Sequence, residues 1–347
     1  MFSKRIIIVV SIAIAIRPLI NYFFWLKASP LDKAVGPVPV LSKEQLSSHV
    51  KGKNALLVGG TRGVGYGTAL ALAAAGARVT IVGRSANSGS RAVTEIKNAI
   101  DSGAVNFISG DIGTVCDCMK LIRKLEEQDV RYDFLVVSAA TFPDWTQPLL
   151  NEDGVDKSFG IATVGRYLVY RNAHRFMKSG SRILNVLASG TKWPSQVLKM
   201  WNRDLASGKK EVSGLYEGIL NFALSSEMMM DSLYKYDKNF VNGAYTMVST
   251  HPGILKTDLH RGQGLLFDII EAVMVALVGI SEEDAGKHQA SILVSEKLHE
   301  KRLTFVDQFG YGRLRDQNAI DFIEENSEWL WSLLTTLEEK SGACSDN

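Results

Sequence analysis

From Lys53 onward, short apolar runs alternate with longer stretches in which apolar residues recur at helical spacing. "NALLVGG" predicts a buried strand running into glycine, and "YGTALALAAAG" predicts an alanine-rich helix stopped by Gly76. The same alternation continues through strand "ARVTIVG", helix "RAVTEIKNAI", strand "AVNFISGD", helix "CMKLIRKLEEQ" and strand "YDFLVVSAA". A long helix is expected over residues 155–177, then a fifth strand at "SRILNVLAS". Later come a helix over 212–236, a strand in "GAYTMVSTHPG", a helix after Ser281, a strand near "LTFVDQ" and a C-terminal helix "AIDFIEENSEWLWSLLTTLEE". Continuous apolar strands alternating with helices imply an α/β fold, a doubly wound parallel sheet covered on both faces.

Composition changes little in that picture. With 46% hydrophobic and 22% charged residues the chain can fill a core. A formal net charge of +2, with no basic run interleaved with aromatics, argues against a nucleic-acid partner. The three cysteines, Cys116, Cys118 and Cys344, are too few for a disulfide scaffold and suit a reducing compartment. Cys-Asp-Cys is too tight for zinc, so no metal is expected.

The N-terminus does change the picture. Lys4 and Arg5 precede "IIIVVSIAIAIRPLINYFFWL", which as a helix would reach about 30 Å, the thickness of a bilayer core. Arg17 and Pro18 interrupt it, and Tyr22 to Trp25 suit an interfacial belt. An uncleaved anchor or half-inserted hairpin, a cleaved signal peptide and a buried helix all remain open. The absence of any Asn-x-Ser/Thr sequon favours a body facing the cytosol. The expected organisation is a hydrophobic segment over 1–28, a linker over 29–50 that ends in a short helix, a nucleotide-binding domain over 51–310 and a helical extension over 311–347.

The stretch "LLVGGTRGVGYG" puts five glycines into twelve positions between the first strand and the first helix. Such a turn sets bare amides and a helix N-terminus beside an anion. The spacing Gly59-x-x-x-Gly63-x-Gly65 resembles the first turn of the short-chain dehydrogenase/reductase family, with Val58 in place of the usual threonine. The resemblance covers about residues 53–310 and implies a Rossmann fold, a nicotinamide cofactor and hydride transfer at a carbonyl or alcohol carbon. It implies cofactor contacts at Gly59, Thr61, Arg62, Gly63, Val64 and Gly65. It adds Asp111 and Ile112 after the third strand, and Ser138 and Ala139 after the fourth, where only the alanine of the family's motif is kept. Thr257 matches the last position of Pro252-Gly253-x-x-x-Thr, and His251 beside it is read as structural. The second strand ends "IVGRS", with Arg84 where NAD-binding chains carry a carboxylate. Arg84 and Arg62 together point to a 2′-phosphate, hence to NADP(H).

The family's catalytic set is kept only in part. Its asparagine falls on Ala162 and its serine on Ala188, with Ser189 adjacent. Its tyrosine falls on Tyr216, but the lysine four residues later is Leu220. The one literal Tyr-x-x-x-Lys, Tyr234 to Lys238, lies too close to Pro252 and reads as a helix end. Tyr216 and Ser189 are therefore the catalytic candidates, with Lys209 or Lys210 a possible source of the missing cation. Two readings stay open: an active reductase with a modified site, and a protein that holds NADP(H) as a sensor or scaffold.

Between Thr257 and Ser281, where the family builds its substrate lid, the chain is apolar from Leu265 to Ile280 apart from Asp268 and Glu271. With Trp193 and Trp201 flanking the cleft, that suggests a lipophilic carbonyl or alcohol as substrate and attachment to a membrane through the N-terminal segment; an ordinary buried helix, and tryptophans that serve the core or a partner, stay open as well. A homo-oligomer remains open.

Overall fold

The computed structural model describes residues 33–100, 104–141, 150–187, 198–199, 201, 203–209, 215–253, 255, 275, 279–299 and 305–344. Of residues 33, 34, 205, 206, 215–222 and 343 it describes the backbone only. The hydrophobic segment at residues 1–28 lies outside this description, as does the expected lid except for Val275, Gly279 and Ile280.

The chain builds β1 (Lys33–Val35), α1 (Lys43–Val50), β2 (Asn54–Val58), α2 (Gly63–Ala74), β3 (Arg78–Gly83), α3 (Ala86–Ala99), β4 (Val105–Ser109), α4 (Val115–Glu127) and β5 (Tyr132–Val137). Next comes α5, which joins an α-turn Lys157–Phe159, a π-helical segment Gly160–Gly165 and an α-helix Arg166–Arg171. The remainder is β6 (Met177–Val186), α6 (Leu215–Tyr236), β7 (Tyr245–Thr250), α7 (Glu282–Val294), β8 (Phe305–Val306), β9 (Gly312–Arg313) and α8 (Gln317–Glu339). One nine-stranded sheet runs β1-β9-β8-β7-β6-β5-β2-β3-β4. Its strands from β8 to β4 are parallel, and β9 and β1 close one edge antiparallel.

Strand residues alternate between two cores. Leu56 and Val58 of β2 face the core built with α4, α5, α6 and α8, whereas Ala55 and Leu57 face the core built with α1, α2, α3 and α7. Both faces are dry, which is why these strands read as unbroken apolar runs. On the second face α2 and α7 touch backbone to backbone: a Cβ on Gly67 would sit 1.8 Å from Glu282 O, and one on Gly286 1.9 Å from Gly67 C. The sequence reading missed this helix contact.

Three expectations need correcting. The helix over 155–177 is broken by the π segment, and the strand after it starts early, at Met177, with a register irregularity against β5. Residues 33–35, expected in a linker, form the edge strand β1; the short helix expected at its end is α1, whose Ser42 and Gln45 form a capping box. Cys116 at the start of α4 is disulfide-bonded to Cys344, 228 residues later, and Cys118 is a buried free thiol. A count of cysteines cannot see a pair made by the docking of α8's C-terminal end beside α4, and the expectation of a reduced chain fails for that pair.

Candidate functional site

The chain winds outward from β2 to β4, then returns to place β5 on the other side of β2. At this reversal the loops leaving β2 and β5 part, which opens a crevice at the carboxyl edge of the sheet. A cleft of about 550 Å³ lies there. Its walls include Gly59, Thr61, Arg62, Gly63 and Val64 from the glycine turn, Arg84 after β3, Asp111 and Ile112 after β4, and Ser138 and Ala139 after β5. Eleven of the twelve residues expected to bind cofactor are thus described on or beside one cavity once Gly65 is added. Gly65 abuts it from α2, where a Cβ would lie 2.3 Å from Gly59 O and from Ser138 Oγ. The twelfth, Thr257, lies outside the described residues.

The turn leaves no room for side chains. Gly59 holds φ +93°, and a Cβ there would meet Ala139 N at 2.4 Å. Ser138 N and Ala139 N both donate to Val58 O, at 2.9 and 3.0 Å, and Ser138 Oγ donates to Gly59 O at 3.1 Å. The two loops at the reversal are therefore tied together, with bare backbone facing the cleft. These residues fit a dinucleotide, whose diphosphate needs amides and close approach rather than side chains.

Sequence reading missed several lining residues. Ser85, Ser88, Arg91 and Glu95 lie in the same cleft as Arg84. Positions 88, 91 and 95 recur at helical spacing on α3, a signal that could have placed them on one face. Arg91 Nε lies 3.7 Å from Glu95 Oε1, both side chains more than half exposed, so that pair binds its charges weakly. Arg84 Nε lies 3.9 Å from Asp111 Oδ2, while Asp111 Oδ1 accepts from Ile112 N at 2.7 Å and Gly113 N at 3.0 Å. Glu282, at the start of α7, was also missed; its Oε1 accepts from Gly63 N at 2.8 Å. A carboxylate thus rests on the first amide of α2, an amide placed to take an anion. Nothing in the local sequence announces a contact across 219 positions.

The reaction end is less complete. Ser189, Ala188, Trp193 and Lys210 lie outside the described residues, and Tyr216 and Leu220 are described only as backbone in the first two turns of α6. Lys209 follows the short helix Arg203–Ala206, its N–H donating to Asp204 O. Trp201 is buried, with Nε1 donating to Ser225 Oγ at 3.0 Å. Tyr234 Oη accepts from Met247 N at 2.8 Å, a structural contact that ties α6 to β7. His251 is kept below its ordinary pKa by burial. The π segment carries Ala162, whose carbonyl accepts from Ser226 Oγ at 2.6 Å. Among the described residues no cluster of His, Cys, Asp and Glu could hold a metal, and no helix is long and apolar enough to cross a membrane.

Comparison with known proteins agrees with this geometry. Residues 53–202 match the family model described as short chain dehydrogenase. A short chain dehydrogenase of Claviceps purpurea is 31% identical over 176 residues, 49% of this chain and 62% of that protein, so the match spans less than two thirds of that relative. The hydroxynaphthalene reductase-like protein Arp2 of Metarhizium acridum is 26% identical over 64% of this chain and 83% of its own. Two solved structures share the fold. A short-chain dehydrogenase/reductase from Serratia marcescens has a TM-score of 0.55 at 18% identity, covering 75% of this chain and 98% of that one. BdcA in complex with NADPH has a TM-score of 0.52 at 20% identity, covering 77% and 98%. The glycine turn at the sheet reversal, the parallel strand order and these matches agree: residues 53–202 are similar to the short chain dehydrogenases, and the chain shares the fold of the solved short-chain dehydrogenase/reductases.

Proposed function

We propose that the protein is an NADP(H)-dependent oxidoreductase that reduces a lipophilic carbonyl or oxidises the corresponding alcohol. The observation that carries this reading is the group Arg62, Arg84 and Arg91 in the cleft beside the end of β3, with Ser85 and Ser88 among them. Guanidiniums form short, charge-assisted bonds to phosphate oxygens, so this wall suits a 2′-phosphate, whereas a 2′-hydroxyl calls for a carboxylate. The NADPH complex of BdcA and the reductase-like name of the Arp2 relative support the reading. The bound coenzyme supplies a hydride to the carbonyl carbon or takes one from the alcohol.

The chain's own residues do the rest. Amides of the glycine turn hold the diphosphate, with Glu282 giving way at Gly63. Tyr216 gives its hydroxyl proton to the carbonyl oxygen as negative charge grows there, assisted by a hydrogen bond from Ser189. A neutral phenol suffices for reduction, because no phenolate is needed at the start. The greasy lid sequence and the N-terminal apolar segment favour a lipophilic substrate met at a membrane surface.

A second reading has one observation behind it. Ser226 occupies the carbonyl that the π segment frees at Ala162, the place where the family supports its water chain, and Leu220 replaces the lysine. A protein that holds NADP(H) without turnover would look the same in these two respects. NADPH binding compared with NADH, followed by NADPH consumption with lipophilic ketones and aldehydes, separates the readings. The parent is expected to bind NADPH at least tenfold more tightly than NADH. Tyr216→Phe is expected to lower turnover about 100-fold or more with binding unchanged. Intact binding with no turnover on any carbonyl would transfer the conclusion to the sensor or scaffold.

A further inference from the structure

Arg166 opens the last α-helical part of α5, directly after the π segment, and is only 2% exposed. Its guanidinium is spread over oxygen acceptors that carry no formal charge. Nη1 donates to Asn185 Oδ1 and, at 2.7 Å, to Val186 O; Nη2 donates to Ala139 O at 3.0 Å. Nε has no partner among the described residues, and no carboxylate among them pairs with this side chain. Other buried arginines behave differently: Arg315 pairs with Asp231 and Arg313 with Asp307. A buried guanidinium with no counter-charge is costly, and its burial pulls it below its ordinary pKa.

Its position is specific. Val186 ends β6, Ala139 follows β5, and Ala139 lines the cleft. Arg166 therefore sits one layer behind the wall, holding together the two strand ends that flank the far side of the cleft. If the arginine wall beside β3 takes the adenosine phosphate and the glycine turn takes the diphosphate, the nicotinamide half extends the other way, over β5 and β6. The neighbours of Arg166 add no negative charge: Tyr170 Oη donates to Asn185 Oδ1 at 2.7 Å, and Asn185 Nδ2 lies 2.9 Å from Met230 Sδ.

We propose that Arg166 is a positioning residue that keeps a permanent positive charge under the nicotinamide seat, so that the site prefers the reduced coenzyme and is biased toward carbonyl reduction. The inference rests on the NADP(H) reading above and goes beyond it. The oxidised ring is cationic and the reduced ring is neutral, so a nearby fixed cation repels only the oxidised form. The same field favours negative charge growing on a substrate oxygen, a service that Leu220 cannot perform.

The test measures dissociation constants of NADPH, NADP⁺ and adenosine 2′,5′-bisphosphate for the full-length parent, Arg166→Gln and Arg166→Lys, with thermal melts as a fold control. The parent is expected to bind NADPH at least tenfold more tightly than NADP⁺. Arg166→Gln, neutral yet able to donate to two carbonyls, should shrink that ratio to threefold or less, with bisphosphate affinity within twofold of the parent. Arg166→Lys should keep the ratio. A parent that binds none of the three ligands overturns the cofactor reading and this inference with it. A parent that binds the bisphosphate and both coenzymes with equal affinity overturns the inference alone, as does an Arg166→Gln protein that keeps the parent's ratio. Should Arg166→Gln not fold, Arg166→Lys decides: a retained tenfold ratio supports the fixed charge, and a lost one overturns it.

Discussion

The two halves of the sheet on either side of the reversal between β2 and β5 have treated the family pattern differently. On the β2–β3–β4 side the glycine turn is intact, its backbone is bare, and three arginines share the cleft. On the β5–β6–β7 side the described residues are engaged in packing. The carbonyl of Ala162 is closed by Ser226, and Asn185, Tyr170 and Met230 knit a buried network around Arg166. One half leaves bare backbone and guanidiniums facing an open cleft, and the other closes on its own interior. Gripping a coenzyme and reacting with it are separable demands, met by different strand ends.

The most severe way to break this contrast is Gly59→Val. Its Cβ would fall on Ala139 N in a left-handed backbone, at a cost of about 4 kcal/mol or more. NADPH binding is expected to vanish in titration calorimetry, and the melting temperature to fall. If binding persists, the turn is not the ligand's seat.

Removing charge alone sharpens the contrast. Arg62→Ala combined with Arg84→Ala should weaken NADPH by roughly 100-fold, about 3 kcal/mol, and leave NADH within threefold. An equal loss for both coenzymes would mean that these side chains do not meet a 2′-phosphate.

The second half should respond to pH through stability. His299 is buried between β7 and α7; its Nδ1 lies 2.9 Å from Thr246 Oγ1, and its Nε2 lies 2.8 Å from Leu293 O. Burial pushes its pKa down to about 4 from an ordinary 6.5. Between those values the unfolded chain binds the extra proton. Stability from this group is therefore complete above about pH 6.5 and is lost as pH falls toward 4, by roughly 3 kcal/mol. His251 and His288 are also lowered by burial and act with the same sign. The share of His299 is the difference in urea midpoint slope, from pH 4 to 7, between the parent and His299→Gln. Equal slopes would exclude it.

The smallest expected effect concerns the carboxylate that rests on the turn. Glu282→Gln removes the charge beside Gly63 N, and NADPH should bind three- to tenfold more tightly while the fold loses about 0.5–1 kcal/mol. Unchanged affinity would mean that the diphosphate never meets this amide.

The sequence by itself determined the alternation of strands and helices and the place of the glycine turn and its Arg62, and through the family resemblance it named Arg84, Asp111, Ser138 and Ala139, which line the cleft with Arg62. These were legible because period, glycine spacing and strand ends are local properties of the chain. It also put Ala162 and Leu220 where the family resemblance implies an asparagine and a lysine. Only the tertiary structure decided that Glu282 rests on Gly63, that Gly67 and Gly286 let two helices touch, that Cys116 meets Cys344, and that Arg166 is buried without a counter-charge. Each of these joins distant parts of the chain or depends on burial. Local pattern carries no record of which distant backbone will supply a group with its partner, and an arginine inside a helix reads the same whether it ends in water or in the interior.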